Sequence, residues 1–213
     1  MSYRTLDARV WATNCLTDGE LFYAFDADNY LEDEDKAYDA MKRANSGEPL
    51  PAERFPREMY ITSQYEEIKQ VPDVFKGGGF WVISGRFAEV LRRFELGQTG
   101  LYPVKLFHHD RKTPFEGDYF VLAFGEAKDT FVPEESPEAD TVFMRKDVWQ
   151  AKRANNKNSL AFDKSVLNGV DLWMEKKIMY SFFMSDRLEE ALKAEKLTQK
   201  LRPYRCRVVS NLH

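Results

Sequence analysis

The sequence contains few of the residues on which metal sites depend. Its 213 residues include two cysteines, Cys15 and Cys206, and three histidines. It has no C-x-x-C pair, H-E-x-x-H run or other zinc-ligand spacing. His108 and His109 are adjacent, so on a strand they would point to opposite faces and could not readily share one metal ion. We therefore expect no bound metal and no cofactor.

Catalytic motifs are also lacking. There is no G-x-S-x-G elbow and no P-loop, and the glycines at 77–79 precede an apolar run, whereas a dinucleotide-binding loop follows a strand and opens a helix. No pair of carboxylates stands out for acid–base catalysis, so we expect a protein that is not an enzyme. Two alternatives stay open: a structural or regulatory module in a self-associating assembly, and a small enzyme or ligand-binding protein. Ser84 and Arg86 lie at a predicted helix N-terminus, where anions bind, and would then line the pocket of a small enzyme or ligand-binding protein.

Long apolar runs are absent too. No segment is long enough to span a membrane, and residues 1–4 lead into mixed polar sequence rather than the apolar part of a signal peptide. Because the two cysteines are few and far apart, we expect a cytoplasmic protein with two reduced, buried thiols. The net charge of −4 argues against general nucleic-acid binding.

The charges that are present are unevenly distributed. Residues 18–58 include 12 acidic and 5 basic residues, whereas residues 145–213 include 15 basic and 8 acidic residues. An apolar fraction of 43% is enough for a packed core. Asymmetry of this kind permits a charged face for a polar partner.

The most informative stretch is 71–106, which is typical of a strand, a helix and a second strand. Residues 80–83 form an apolar run that predicts a buried strand, and Ser84 lies where a helix N-cap is expected. Apolar side chains then recur at the spacing of one helical face: Phe87, Val90, Leu91 and Phe94. Gly97 is the predicted helix stop. Residues 101–106 predict the second strand, in which Pro103 indicates an edge position or a strand start.

A similar pattern returns at 180–208. Residues 182–184 form the apolar run, Ser185 takes the cap position, and Leu188 and Leu192 lie at helical spacing. Two copies are too few for a solenoid, although two similar units can also arise by chance. We predict a single domain over residues 1–213 that contains two related strand–helix–strand units, 71–106 and 180–208, with Ser84 and Ser185 as structural caps.

The remaining segments complete an α+β pattern. Strands are predicted at 9–14, 21–25, 59–61 and 118–124. A short acidic helix is predicted within 26–49 and a turn of helix at 64–70. Residues 146–158 are basic and polar, and we predict an exposed, mobile loop there. The expected fold is α+β, with a mixed or antiparallel sheet and packed helices.

These residues resemble the pattern of a family of bacterial immunity proteins from polymorphic toxin systems, the eleventh class in that naming and formerly a domain of unknown function. The family pattern comprises Pro-Asp, an apolar strand, Ser-x-Arg followed by an apolar residue, a helix and a later Pro-Val. Here these are Pro72-Asp73, residues 80–83, Ser84, Arg86, Phe87 and Tyr102-Pro103-Val104, and a second Ser-x-Arg is formed by Ser185, Arg187, Leu188 and Leu192. The resemblance covers residues 59–205.

The resemblance implies a protein that binds a cognate toxin domain inside the producing bacterium. Such a protein neutralises the toxin by covering its active site, without turnover. The acidic segment would face a cationic toxin, because opposed electrostatic fields speed encounter and favour the right partner. The candidate contact residues are Asp26, Asp28, Glu32, Asp33, Glu34 and Asp35. No contact with nucleic acid or with a membrane is expected.

Overall fold

The computed structural model describes residues 2–13, 19–62, 68–142, 145–151, 159–179 and 181–212. The α-helices in this part of the chain are α1 (Asp28–Glu32), α2 (Glu34–Ala44), α3 (Gly85–Leu91) and α4 (Asp186–Ala194). The strands there are β1 (Ser2–Ala12), β2 (Phe22–Tyr23), β3 (Phe25–Ala27), β4 (Glu58–Ile61), β5 (Val74–Gly77), β6 (Phe80–Ser84), β7 (Gly100–Phe107), β8 (Tyr119–Ala123), β9 (Ala127–Lys128), β10 (Ala139–Val142), β11 (Arg145–Ala151), β12 (Ala161–Asp163), β13 (Leu172–Glu175), β14 (Phe182–Ser185) and β15 (Tyr204–Leu212). Short 3-10 helices cover Gly19–Leu21, Ala52–Arg54, Pro133–Glu135 and Lys164–Leu167. The predicted α+β class is confirmed.

The chain forms two compact units. Unit 1 comprises Met1–Thr17, Phe94–Gly97 and Glu126–His213, and unit 2 comprises Asp18–Arg93 and Gln98–Gly125. Neither unit is a continuous segment, because the chain passes from one to the other more than once. The predicted single domain over residues 1–213 stays a prediction.

Unit 2 is built on a seven-stranded mixed sheet in the order β2-β5-β6-β8-β7-β4-β3. Strand β6 lies inside this sheet, antiparallel to β5 and β8, and its residues 80–83 are buried. The apolar run at 80–83 had predicted a buried strand here. Gly78 and Gly79 form the turn before β6 with φ of 55° and 84°, a left-handed conformation that glycine adopts without strain. Helix α2 packs on one face of the sheet through Ala40, Met41 and Ala44.

Helix α3 is shorter than predicted. It follows Ser84, whose Oγ accepts a hydrogen bond from the backbone N–H of Phe87 at 3.4 Å, and it ends at Leu91. Phe94, which was predicted on the buried face of this helix, begins the segment Phe94–Gly97 that belongs to unit 1. Helical periodicity alone does not show that the chain changes unit at this point.

Strand β7 lies between β8 and β4 in the sheet, but around Pro103 it pairs on one side only, so the edge position predicted from Pro103 holds locally. The ladder explains why proline is tolerated. β7 pairs with β8 over residues 100–104, whereas β4 pairs only with residues 105–107. Near Pro103, β7 therefore pairs with a described strand on one side only. On the other side no hydrogen bond to a described strand is lost because proline lacks an N–H.

Unit 1 contains a six-stranded mixed sheet in the order β12-β15-β1-β14-β13-β9 and a separate pair, β10 and β11. Its core includes Val10, Trp173, Phe183, Cys206 and Val208. Strand β1 lies within the sheet, antiparallel to β14 and β15. It begins seven residues earlier than the predicted strand at 9–14, because its first residues pair with β15 beyond a register shift. The local alternation of apolar and polar residues does not reveal that the first residues of β1 pair with β15, near the other end of the chain.

Residues 146–151 of the predicted loop lie in β11 (Arg145–Ala151). This strand pairs with β10, Val148 is buried, and the ring of Trp149 lies 5.5 Å from the ring of Phe131. Two apolar residues within the basic stretch therefore decide its structure. The rest of that predicted loop, 152–158, lies outside the described residues, as do residues 64–67 of the predicted helical turn.

Five strands in each large sheet share the same order and the same relative directions. The series is β5-β6-β8-β7-β4 in unit 2 and β13-β14-β1-β15-β12 in unit 1. In each series three antiparallel pairings are followed by one parallel pairing. Strand β8, which follows β7 in unit 2, thus corresponds to the N-terminal strand β1 in unit 1. The two related units at 71–106 and 180–208 stay a prediction, which this shared topology supports.

Candidate protein-binding surface

The acidic residues singled out in the sequence lie in unit 2, on β3, α1 and α2 and at Asp33 between the two helices. The acidic segment forms two helices instead of one, because Asp33 has an extended backbone (φ −156°, ψ 94°) between them. On α2, Ala37, Ala40 and Ala44 are buried and the positions between them are mostly charged. This amphipathic pattern turns the acidic side chains to solvent.

Asp28 is used within the fold. Its Oδ1 accepts hydrogen bonds from the backbone N–H groups of Asn29 at 2.8 Å and Arg57 at 3.1 Å. Its Oδ2 accepts one from the N–H of Glu58 at 3.2 Å. These bonds fix the start of α1 against the start of β4, so Asp28 has a structural role whether or not it also contacts a partner.

Asp33 has a similar structural role at the start of α2. Its Oδ1 accepts a hydrogen bond from the backbone N–H of Lys36 at 3.1 Å, and its Oδ2 lies 2.7 Å from Nζ of the same lysine. The hydrogen bonds from the side chain and backbone of Lys36 lower the pKa of Asp33. Asp33 therefore caps the helix that carries Glu34 and Asp35.

The other carboxylates are available to a partner to different degrees. Glu32 and Asp35 are exposed and have no ion pair or hydrogen bond with the described residues. Glu34 accepts a hydrogen bond from the hydroxyl of Tyr30 at 2.5 Å, which raises the pKa of Tyr30. Asp26 lies 3.6 Å from Nη2 of Arg111, and both of those side chains are substantially exposed.

Large apolar side chains are exposed on the same helices. Tyr30, Leu31 and Tyr38 are 44%, 54% and 61% exposed, and together with Phe22 they make four of the five such side chains in the part of the chain that the structure describes. Sequence reasoning did not nominate them. A signal was available for Tyr38, which falls outside the stripe of buried alanines on α2. Exposed aromatic residues with a polar rim are typical of the centre of a protein–protein interface.

A cleft of about 370 Å³, here called the tyrosine cleft, opens beside these aromatic side chains. Its lining includes the exposed Tyr30 and Tyr38 and the buried Phe25, Ala27 and Ala37. The other lining residues are Tyr23, Asp26, Met41, Gly78 and Gly79. Apolar walls next to exposed aromatic and carboxylate groups suit a long side chain of a bound partner.

The pocket considered near Ser84 and Arg86 is not favoured by the geometry. The hydroxyl of Ser84 donates to Oδ1 of Asp73 at 2.6 Å and accepts from the helix N–H of Phe87 at 3.4 Å. Arg86 Nε lies 3.7 Å from the same Asp73 oxygen. The serine is therefore engaged as a helix cap, and neither residue lines the tyrosine cleft or a wider cleft of about 970 Å³ in unit 2.

The second junction has the same arrangement in unit 1. Ser185 donates to Oδ1 of Asp171 at 2.6 Å and accepts from the N–H of Leu188 at 3.3 Å. Ser185 and Arg187 border a cleft of about 300 Å³. Sequence reasoning found both serines but missed their aspartate partners, although Asp73-Val74-Phe75 and Asp171-Leu172-Trp173 are similar tripeptides.

The other candidates for chemistry are held within the fold. His108 stacks on Phe115 with ring centroids 4.0 Å apart. Cys206 is buried, and burial raises the pKa of its thiol; Cys15 lies outside the described residues. No group of three or more His, Cys, Asp or Glu side chains in the described ranges could hold a metal ion. Among the helices that the structure describes, none has the length and apolar character that a membrane crossing requires.

Large exposed apolar side chains that cluster on one surface mark a place where another molecule can bind. The sequence matches the profile of the Immunity protein family (Imm11) over residues 17–206. The chain therefore belongs to this family, which confirms the resemblance and extends it well beyond residue 59 toward the N-terminus. A search of curated proteins found no match.

Proposed function

We propose that this protein binds a cognate toxin domain in the cytoplasm of a bacterium and neutralises it by covering the toxin's active site. Membership of an immunity protein family supports the proposal. The engagement of Ser84 and Ser185 as helix caps supports action by binding alone, without turnover.

The observation that carries the choice of surface is the coincidence of exposed aromatic and acidic side chains on α1 and α2. Residues 26–39 include seven acidic residues and one basic residue, and Tyr30, Leu31 and Tyr38 are exposed among them. A basic toxin would be attracted by the charge and held by the aromatic side chains. In this proposal Asp26, Glu32, Glu34 and Asp35 face the toxin, while Asp28 and Asp33 also hold the helices in place.

The test is inhibition of a purified toxin domain that the tagged chain retains from its own bacterium. Binding by occlusion predicts inhibition in proportion to the amount of protein added, complete at one equivalent. The inhibited toxin should recover its activity when the complex is dissociated and the toxin is purified again. Inhibition by a small fraction of an equivalent, or a toxin that stays chemically changed after separation, would show turnover. No inhibition at excess protein would overturn the proposed function.

A further inference from the structure

We propose that the tyrosine cleft is a socket for one arginine side chain of the partner protein. The inference rests on the proposed function, because it specifies how a toxin would be anchored on the acidic surface. It adds the chemistry of that anchor, which is a guanidinium group on an aliphatic stem.

The inner lining of the cleft suits the aliphatic stem. Phe25, Ala27 and Ala37 are 5%, 1% and 3% exposed, so this part of the lining is apolar. The turn between β5 and β6 contributes bare backbone. Gly79 has a φ of 84°, and a Cβ atom there would lie 2.2 Å from Sδ of Met41, so a larger residue would be strained and would have to displace the Met41 side chain. The cleft therefore has an apolar wall that a methylene chain can contact.

The exposed part of the lining suits the guanidinium group. Tyr30 and Tyr38 present aromatic rings, and the planar guanidinium group stacks on such rings and is more weakly hydrated than the ammonium group of lysine. The hydrogen bond from the Tyr30 hydroxyl to Glu34 brings one carboxylate to the edge of the same ring. Asp26 supplies a second carboxylate in the lining. One cationic side chain in this cleft would therefore meet both aromatic rings and negative charge.

Asp26 already has an arginine neighbour in Arg111, at 3.6 Å, with the two side chains 40% and 55% exposed. An ion pair this long and this exposed contributes little stability, so Asp26 can accept a second guanidinium group. An acidic segment would be repelled by the local charge. A purely apolar side chain would displace water from Asp26 without replacing its hydrogen bonds. Arginine meets the requirements of both the apolar and the acidic parts of the cleft.

The test is an NMR titration of the ¹⁵N-labelled full chain with the peptide acetyl-Gly-Arg-Gly-amide. Two matched peptides replace arginine by citrulline, which has the same shape without the charge, or by norleucine, which keeps only the stem. The arginine peptide is expected to shift the amide signals of Ala37, Met41, Gly78 and Gly79 and to reach saturation. The two matched peptides should bind about tenfold more weakly, which is the loss expected when a cation–π contact is removed.

Variants at Tyr38 test whether binding of the arginine peptide depends on the aromatic ring of this residue. Tyr38 is 61% exposed, so its substitution is not expected to disturb folding. Tyr38→Ala should weaken binding of the arginine peptide about tenfold, whereas Tyr38→Phe should keep it. Signals that shift elsewhere, no saturation at the highest soluble peptide concentration, or equal binding of all three peptides would each overturn the socket.

Parallel measurement of toxin inhibition separates this inference from the proposed function. If the wild-type chain inhibits the toxin but the arginine peptide leaves the cleft signals unchanged, the socket is wrong and the proposed function stands. If the peptide binds in the cleft but the chain does not inhibit the toxin, the preference for arginine stands and the proposed function fails.

Discussion

Arg187 and Asp171 form a two-point ion pair, with Nε 2.6 Å from Oδ1 and Nη2 2.5 Å from Oδ2. Asp171 also accepts hydrogen bonds from Ser185 and from the backbone N–H of Glu95, and its side chain is only 3% exposed. The equivalent contact in unit 2, between Arg86 and Asp73, is longer at 3.7 Å, and the Asp73 side chain is 34% exposed. The two strand-to-helix junctions thus use the same residue types at different depths.

This difference predicts unequal effects of the same substitution. Asp171→Asn weakens the hydrogen bonds that the buried carboxylate accepts from Ser185 and Glu95, and since Arg187 is 65% exposed it should lower the free energy of unfolding by about 2 kcal/mol. Asp73→Asn alters an exposed pair and should cost about 1 kcal/mol or less. Urea unfolding followed by tryptophan fluorescence measures both. Equal losses for the two variants would contradict the assigned difference in depth.

The junctions show what sequence could and could not predict. An apolar run, a serine and helical spacing are local signals, so β6, α3, β14 and α4 were predicted near their observed positions. The aspartate that each serine contacts lies before a preceding strand and is brought close only by strand pairing. Strand β1 and the end of α3 depend in the same way on distant parts of the chain, which local periodicity does not reveal.

Glu175 predicts a pH-dependent stability. Its carboxylate accepts hydrogen bonds from the N–H and the hydroxyl of Thr130, both at 2.9 Å, and the residue is 3% exposed. Burial raises the pKa of Glu175 from 4.5 to about 7. The folded protein therefore holds this proton more tightly than the unfolded chain does. The resulting stabilisation is complete below the unfolded pKa and is lost as the pH rises through the folded pKa.

Glu175→Gln should remove this contribution. The free energy of unfolding at pH 8 is expected to exceed that of the wild type by on the order of 2 to 3 kcal/mol, and the decline between pH 4.5 and 7 should flatten. Chemical denaturation at several pH values measures this. Glu190→Gln, at an exposed position of α4, is the matched control and should keep the wild-type slope. An unchanged slope in the Glu175 variant would contradict the prediction.

The shared strand order predicts that a circular permutant will fold. Ser2 pairs with Leu212 across β1 and β15, so a short glycine-rich link can join these strands as a hairpin, as β7 joins β8 in unit 2. With new ends between Thr13 and Gly19, the melting temperature should stay within about 5 °C of the wild type. A permutant with the same link but new ends within the buried β6 should not fold. Failure of the first permutant would contradict the correspondence of β1 and β8.

Two neighbouring carboxylates should have separable effects on stability. Asp33→Ala removes the cap of α2 and should lower the free energy of unfolding measurably. Glu32→Ala removes an exposed side chain without described partners and should change it by less than about 0.5 kcal/mol. Thermal and urea unfolding measure both. A larger loss for Glu32 than for Asp33 would show that the helix cap is assigned incorrectly.

Only part of the proposed toxin-binding surface could be predicted from the sequence. Acidic clustering is visible in sequence, and it selected Asp26, Asp28, Glu32, Asp33, Glu34 and Asp35 as a group. Which members of the group also have a structural role depends on long-range contacts. Asp28, for example, accepts hydrogen bonds from backbone N–H groups at the start of β4. Tyr30 and Leu31 lie on α1, which Asp33 separates from α2, and the sequence prediction placed one helix here instead of two.

The most direct test of the toxin-binding surface is the dissociation constant of the toxin complex, measured by calorimetry for three forms of the chain. These are the wild type, Glu32→Lys/Asp35→Lys, and the control Glu89→Lys/Glu116→Lys, which makes the same charge change at other exposed positions of unit 2. We expect the first pair to weaken binding about tenfold or more and the control pair to change it less than about threefold. Equal effects of the two pairs, or none from the first, would contradict the assignment of this surface.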